Sequence, residues 1–61
     1  MNARVAALIL RHGARVVAPK LRADFTRALY RRAKRQWSRL PARERAARRR
    51  RMRHELREVT A

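Results

Sequence analysis

The chain has 61 residues and carries 19 Lys and Arg residues against 4 Asp and Glu residues, a net charge of +15 at pH 7, with no Cys. A chain this short forms one small domain at most, and the lack of Cys excludes disulfides, iron–sulfur ligation and Cys-type zinc sites. Self-repulsion at this charge opposes a compact free monomer, so the expected source of stability is a polyanionic partner: RNA, an acidic protein or an anionic membrane surface.

Residues 1–18 are predicted to form a basic amphipathic segment. Apolar side chains recur at helical spacing and arginines occupy another face, in the sets Val5, Leu8, Ile9, His12, Val16 and Arg4, Arg11, Arg15. No acidic residue precedes Asp24, which is typical of a mitochondrial targeting segment, although the segment is poor in Ser. The other interpretation is an ordinary surface helix. If the segment directs import, we expect it to be retained and to take a structural role.

Two Pro residues divide the rest of the chain. Gly13 is expected to interrupt or weaken the first helix. Pro19 is expected to start a second helix that ends near Arg39, because Pro is well placed in a first helical turn. Leu40-Pro41 predicts the next break, since the residue before Pro is pushed out of the helical region. A third helix is expected from Ala42 to about Val59. The predicted organisation is therefore segment 1–18 followed by a helical hairpin over 19–61.

The second helix has three distinct faces when its residues are placed about 100° apart. Phe25, Leu29, Ala33, Gln36 and Leu40 form an apolar face. Tyr30 and Trp37 form an aromatic edge, and Arg27, Arg31, Lys34 and Ser38 gather on the opposite side. This arrangement is that of a docking helix. We expect four of its side chains to pack on Met52, Leu56 and Val59 of the third helix: Phe25, Leu29, Ala33 and Trp37.

The third helix has a thin apolar face and an arginine run. The run consists of Arg43, Arg45, Arg48, Arg49, Arg50, Arg51 and Arg53, with only Glu44 against it. It is a candidate polyanion-binding surface, and the alternative is a solvated basic face. RNA would be bound through phosphate contacts from these side chains, with stacking on Trp37 or Tyr30. The predicted fold is all-α, with two or three amphipathic helices that are stable mainly within a larger assembly.

The sequence contains no recognisable catalytic constellation. His12 and His54 lie far apart without an acidic or Cys partner at ligand spacing, and the four acidic residues do not form an acid–base pair. The longest apolar run, Val5 to Leu10, is too short to span a bilayer. We therefore expect no enzyme activity, no metal, no cofactor and no transmembrane span.

Leu29-Tyr30-Arg31 resembles the tripeptide that names the mitochondrial LYR-motif family. Arg32 follows it, Leu40-Pro41 comes next in the pattern, and Glu55-Leu56-Arg57 ends it. The layout is similar to the succinate dehydrogenase assembly factors and less closely to the LYR subunits of respiratory complex I. The resemblance covers about residues 25–58. The family usually has Phe where this chain has Leu56. Its bundle has three helices after the motif begins, of which this sequence is expected to form two.

The resemblance implies a small, basic, helical protein of the mitochondrial matrix or the matrix face of the inner membrane. Family members are non-catalytic accessory subunits or assembly factors of respiratory complexes, and a few associate with mitoribosomes. Many bind the acidic acyl carrier protein, whose acylated arm enters a tunnel between the helices. Either the N-terminal segment replaces the missing helix here, or the tunnel is absent and the chain is a structural clip.

By the same resemblance, Leu29 and Tyr30 would line the interhelical space and Arg31 would meet the acidic partner. Helix geometry adds Arg27, Lys34 and Arg35 to that surface, and Trp37 and Leu56 complete the candidate partner-binding residues. The leading expectation is an accessory protein of a respiratory complex. The competing expectation is a mitoribosomal protein that binds rRNA through its arginine run, and anionic lipid head groups are a further candidate partner.

Overall fold

A computed structural model describes residues 2–22 and 24–60, and over these residues the chain is all-α, as predicted. The elements are α1 (Ala3–His12), a π-helical segment (Gly13–Val17), α2 (Ala18–Leu21), α3 (Arg27–Arg39) and α4 (Ala42–Thr60). The first three run on without a break, and we refer to them together as the N-terminal helix. Met1, Ala23 and Ala61 belong to the predicted segments 1–18 and 19–61 but lie outside the described residues.

The N-terminal helix has clear start and stop signals. Asn2 has an extended backbone, and its side-chain oxygen accepts a hydrogen bond of 2.9 Å from the N–H of Val5, which satisfies one of the free donors of the first turn. The helix ends at Arg22, which adopts the left-handed conformation with φ 53°. The N–H of Arg22 donates to the carbonyl oxygen of Pro19 at 3.2 Å. The chain therefore turns at residue 22.

The prediction that Pro19 starts the second helix is wrong. At Gly13 the α-helical pattern of α1 changes to the π-helical segment, but the helix does not end there. Pro19 lies in the last turn of the N-terminal helix, so the boundary predicted after residue 18 falls inside a helix. A Pro ring normally clashes with the carbonyl four residues earlier, which is that of Arg15. Here the N–H of Ala18 donates to the carbonyl of Gly13, five residues back. This wider π-type turn gives the ring room, so the helix continues to Leu21.

Helices α3 and α4 meet at the break predicted at Leu40-Pro41. Thr26 caps α3, because its hydroxyl accepts from the N–H of Leu29 at 3.4 Å. Leu40 is extended (φ −78°, ψ 139°) ahead of Pro41, and α4 begins at Ala42 as expected. The local signals of this turn were therefore sufficient to predict it.

The core lies where the N-terminal helix packs against both α3 and α4. Its buried side chains are Val5, Leu8, Ile9 and Val16 from the N-terminal helix, Trp37 from α3, and Met52 and Leu56 from α4. Tyr30, Ala33 and Leu40 pack against this cluster and are only partly buried. The N-terminal helix thus supplies more than half of the core. The sequence had left a structural role for this segment open, but it assigned specific core contacts only to the second and third helices.

The predicted contact set is correct for Trp37, Met52 and Leu56, which are all buried. It is wrong for Val59, which is 53% exposed near the end of α4. Phe25 and Leu29 are half-buried and stand outside the core cluster. The core forms instead where the N-terminal helix packs on α3 and α4, so these three side chains of the predicted two-helix contact do not belong to it.

Gly13 makes room for an aromatic ring. A Cβ atom built on Gly13 would lie 2.1 Å from Cζ of Phe25, far inside van der Waals contact. Phe25 belongs to the linker before α3, and its ring rests on the backbone of the N-terminal helix at this point. The only Gly of the chain is thus needed for a close approach between two segments and not for an unusual backbone conformation, since its φ is −58°.

Candidate partner-binding site

An open groove of about 780 Å³ lies between the N-terminal helix, α3 and α4. Its apolar lining comes from all three helices and the linker: Ile9, Val17, Leu21, Phe25, Leu29, Ala33, Trp37, Leu40 and Met52. We call this set the groove floor. The groove places this apolar concavity on a chain with a net charge of +15.

Arginines border the groove on two helices. Arg32 and Arg39 come from α3, Arg48 and Arg51 come from α4, and all four side chains are solvent-exposed. Within the described part of the chain, Glu55 is the one acidic residue that lines the groove. The groove is therefore apolar at its base and cationic along its edges. The sequence did not indicate Arg32 or Arg39 as candidate partner-binding residues, because helical periodicity assigned neither of them to a face.

The three residues of the LYR-like tripeptide point to different surroundings. Leu29 is half-buried and lines the groove. Tyr30 is not among the lining residues. It packs against the core, its ring meets that of Phe25 edge-to-face with 6.5 Å between centroids, and Nζ of Lys34 lies 4.7 Å above it. Arg31 is exposed and also lies outside the groove lining.

The other candidate partner-binding residues divide between the surface and the core. Arg27 and Arg35 are exposed on α3, and neither lines the groove. Trp37 and Leu56 are each 7% exposed and belong to the core. Because its ring is enclosed, Trp37 offers no open face on which a base could stack.

The arginine run of α4 is spread around the helix. Arg43, Arg48, Arg50, Arg51 and Arg53 are exposed, whereas Arg45 and Arg49 are half-buried. Arg48 and Arg51 face the groove, and the other five do not line it. Among the Lys and Arg residues that the structure describes, only Lys20 and Arg51 have a carboxylate within 4.0 Å. Most of the cationic surface is therefore available to an anionic partner.

Glu55 joins the N-terminal helix to α4. Its Oε2 lies 3.6 Å from Nε2 of His12 and 3.9 Å from Nζ of Lys20, and its Oε1 lies 3.4 Å from Nε of Arg51. The Nε2 of His12 is buried and has no hydrogen-bond partner. The Arg51–Glu55 contact follows the i,i+4 spacing visible in the sequence. The contacts of Glu55 with His12 and Lys20 depend on helix packing, and no local pattern indicates them.

Among the described residues, no group of three or more His, Cys, Asp or Glu side chains gathers in an arrangement that would hold a metal ion. Over residues 2–22 and 24–60, none of the helices combines the length and apolar character needed to cross a bilayer. His54 pairs with Glu58 one turn away, at 2.8 Å, on an exposed face.

Comparison with known proteins adds no relative. No family model matches the chain, and no curated protein or solved structure is significantly similar to it.

Proposed function

We propose that this chain is a non-catalytic accessory protein of a large mitochondrial assembly, in which it docks an acidic partner. The proposed host is a respiratory chain complex, with the chain as a subunit or an assembly element. The observation that carries the proposal is the groove, because it joins an apolar floor to arginine edges and so matches a protein surface that is both apolar and acidic.

The net positive charge of the chain independently supports an acidic partner. Only four acidic residues oppose 19 basic ones, and two of them, Glu55 and Glu58, already contact side chains of this chain. The folded state therefore brings many unpaired cations close together, which raises its free energy. A bound acidic surface removes this repulsion, so binding and folding stabilise each other.

The N-terminal helix supports a mitochondrial location. Arg4, Arg11 and Arg15 are exposed along it, and no acidic residue occurs before Asp24. These are the features of a targeting helix. Its opposite face is buried in the core, so the same residues would serve import and folding.

Ribosomal RNA in a mitoribosome is the second candidate partner. The observation in its favour is that Arg43, Arg50 and Arg53 are exposed away from the groove, where phosphates would reach them. The aromatic side chains favour a protein instead. Trp37 is buried, and the ring of Tyr30 already meets Lys34 and Phe25, so neither offers the open ring that single-stranded RNA uses for stacking.

Native fractionation of mitochondria tests the proposal. The full chain carrying an epitope tag is expressed in its native cell, and mitochondrial detergent extracts are separated on native gels and sucrose gradients with and without ribonuclease. We expect the tag to migrate with a respiratory complex and to be insensitive to ribonuclease. Migration with the ribosome that ribonuclease abolishes would favour the rRNA candidate and overturn the respiratory one. A tag found only outside mitochondria would refute both.

A further inference from the structure

The groove is an apolar surface left open on a highly charged protein. Leu29 shows this most clearly, because it lines the groove without belonging to the core cluster. Any partner that removes its apolar atoms from water would lower the free energy of the complex. Leu29 is therefore a probe of the groove that does not report on the core.

The arginines at the two edges have a defined spacing. Arg32 and Arg39 are seven residues apart on α3, which corresponds to about 10.5 Å along the helix axis. Arg48 and Arg51 are three residues apart on α4, about 4.5 Å on the same rule. Within the described part of the chain, Arg32, Arg39 and Arg48 have no carboxylate within 4.0 Å. Each is available to an acidic group that lies over the groove.

We propose that the groove takes an acidic amphipathic helix of a partner protein. The inference rests on the proposed function, since the helix would belong to the acidic partner, and it specifies where and in what form that partner binds. The apolar stripe of the helix lies on the groove floor, and Asp or Glu residues on both sides of the stripe meet the arginines. Acids two turns apart along one edge would match Arg32 and Arg39.

Other occupants fit the groove less well. A second copy of this chain brings a further charge of +15 to arginine edges, which is repulsive. RNA supplies anionic phosphates but has no aliphatic stripe to cover Leu29 and the rest of the floor. A helix with an apolar stripe and acidic flanks satisfies both parts of the groove at once.

Designed peptides and the full chain test the proposal. One peptide carries Leu at heptad positions a and d and Glu at e and g, and its matched control has Gln in place of Glu. Binding is followed by the fluorescence of Trp37, the only Trp of the chain, and by helicity from circular dichroism. We expect the Glu peptide to bind, and the Gln peptide to bind at least about tenfold more weakly because it leaves the arginines unpaired.

Variants of the chain locate the binding surface. Leu29→Gln should weaken binding by about tenfold or more, whereas Leu29→Met should retain it. Leu10→Gln is the matched control, since Leu10 is 49% exposed and does not line the groove. Arg48→Glu should weaken binding by about five- to tenfold, and Arg50→Glu, which makes the same charge change away from the groove, by about twofold at most.

Three results would overturn the groove assignment. Equal losses from Arg48→Glu and Arg50→Glu with no effect of Leu29→Gln would mean that diffuse charge attracts the peptide. A dimer seen in sedimentation that Leu29→Gln abolishes would assign the groove to a second copy, and oligouridylate binding that Leu29→Gln weakens would assign it to RNA. Failure of the proposed function is seen separately, as absence of the tagged chain from respiratory complexes.

Discussion

The contact between Gly13 and Phe25 makes a prediction in which two opposing effects nearly cancel. Ala is favoured over Gly inside a helix by about 0.5–1 kcal/mol. However, the added Cβ would lie 2.1 Å from Cζ of Phe25, so the ring has to leave its position. Burial of a whole Phe side chain is worth about 1.5–3 kcal/mol, and Phe25 is half-buried, so its release costs about 1 kcal/mol. We therefore expect Gly13→Ala to change stability by less than about 0.5 kcal/mol in the wild-type background.

A double-mutant cycle separates the two effects. In a Phe25→Ala background the ring is gone, so Gly13→Ala should stabilise the chain by about 0.5–1 kcal/mol, and the coupling between the two sites should be about 1 kcal/mol. The measurement is urea unfolding followed by circular dichroism in sodium sulfate, which screens the cationic charge and favours burial. Ala14→Gly, at an exposed neighbouring position, is the control and should cost the same in both backgrounds. If Gly13→Ala stabilised both backgrounds equally, the packing of Phe25 on Gly13 would be refuted.

Three further predictions use the same unfolding measurement or helicity alone. Arg22→Gly should stabilise the chain by about 1 kcal/mol, because Arg22 has φ 53° and Gly adopts this conformation without strain. Lys20→Gly, inside the helix, should destabilise the chain by a similar amount. Destabilisation by Arg22→Gly would contradict the left-handed turn. Glu55→Gln should destabilise the chain by about 1 kcal/mol, since Glu55 meets three cationic or titratable side chains across two helices. Glu58→Gln, which removes one exposed contact, should cost less than about 0.5 kcal/mol. Equal effects would argue against the contact of Glu55 with the N-terminal helix. The free chain should show little helicity at low salt and gain it in sulfate or with the acidic peptide; cooperative thermal unfolding of a dilute monomer at low salt would be the contrary result.

Local signals predicted some boundaries and failed at others for a physical reason. The break at Leu40-Pro41 depends on the conformation of the residue before Pro, which is a property of two neighbouring residues. Pro19 carries the same local signal, yet the π-type hydrogen bond from Ala18 to Gly13 accommodates it. Nothing in the sequence around Pro19 distinguishes the two cases. A helix can avoid the clash of a Pro ring with the preceding turn either by ending before the Pro or by widening to a π-type turn.

The candidate site was predictable only as far as helix faces allow. The apolar face of the second helix correctly contained Leu29 and Ala33, which line the groove. The edges of the groove depend on which sides of α3 and α4 the N-terminal helix covers. The periodicity of one segment predicts the faces of that helix but not which helices pack together. Arg32 and Arg39 were missed for this reason. The i,i+4 spacing of Arg51 and Glu55 is visible in the sequence, but the contacts of Glu55 with His12 and Lys20 are not.

The geometry also decides which substitution is informative about partner binding. From the LYR-like tripeptide alone, Tyr30→Ala is the natural test, and loss of the protein from its assembly would be read as loss of a partner contact. In the structure Tyr30 packs against the core and the ring of Phe25, so Tyr30→Ala removes internal contacts and would release the protein by unfolding it. Leu29 lies one residue away, lines the groove and is outside the core. Release by Leu29→Gln, with wild-type helicity of the variant in sodium sulfate, would therefore identify a partner contact. Release by Tyr30→Ala alone would identify only a folding defect.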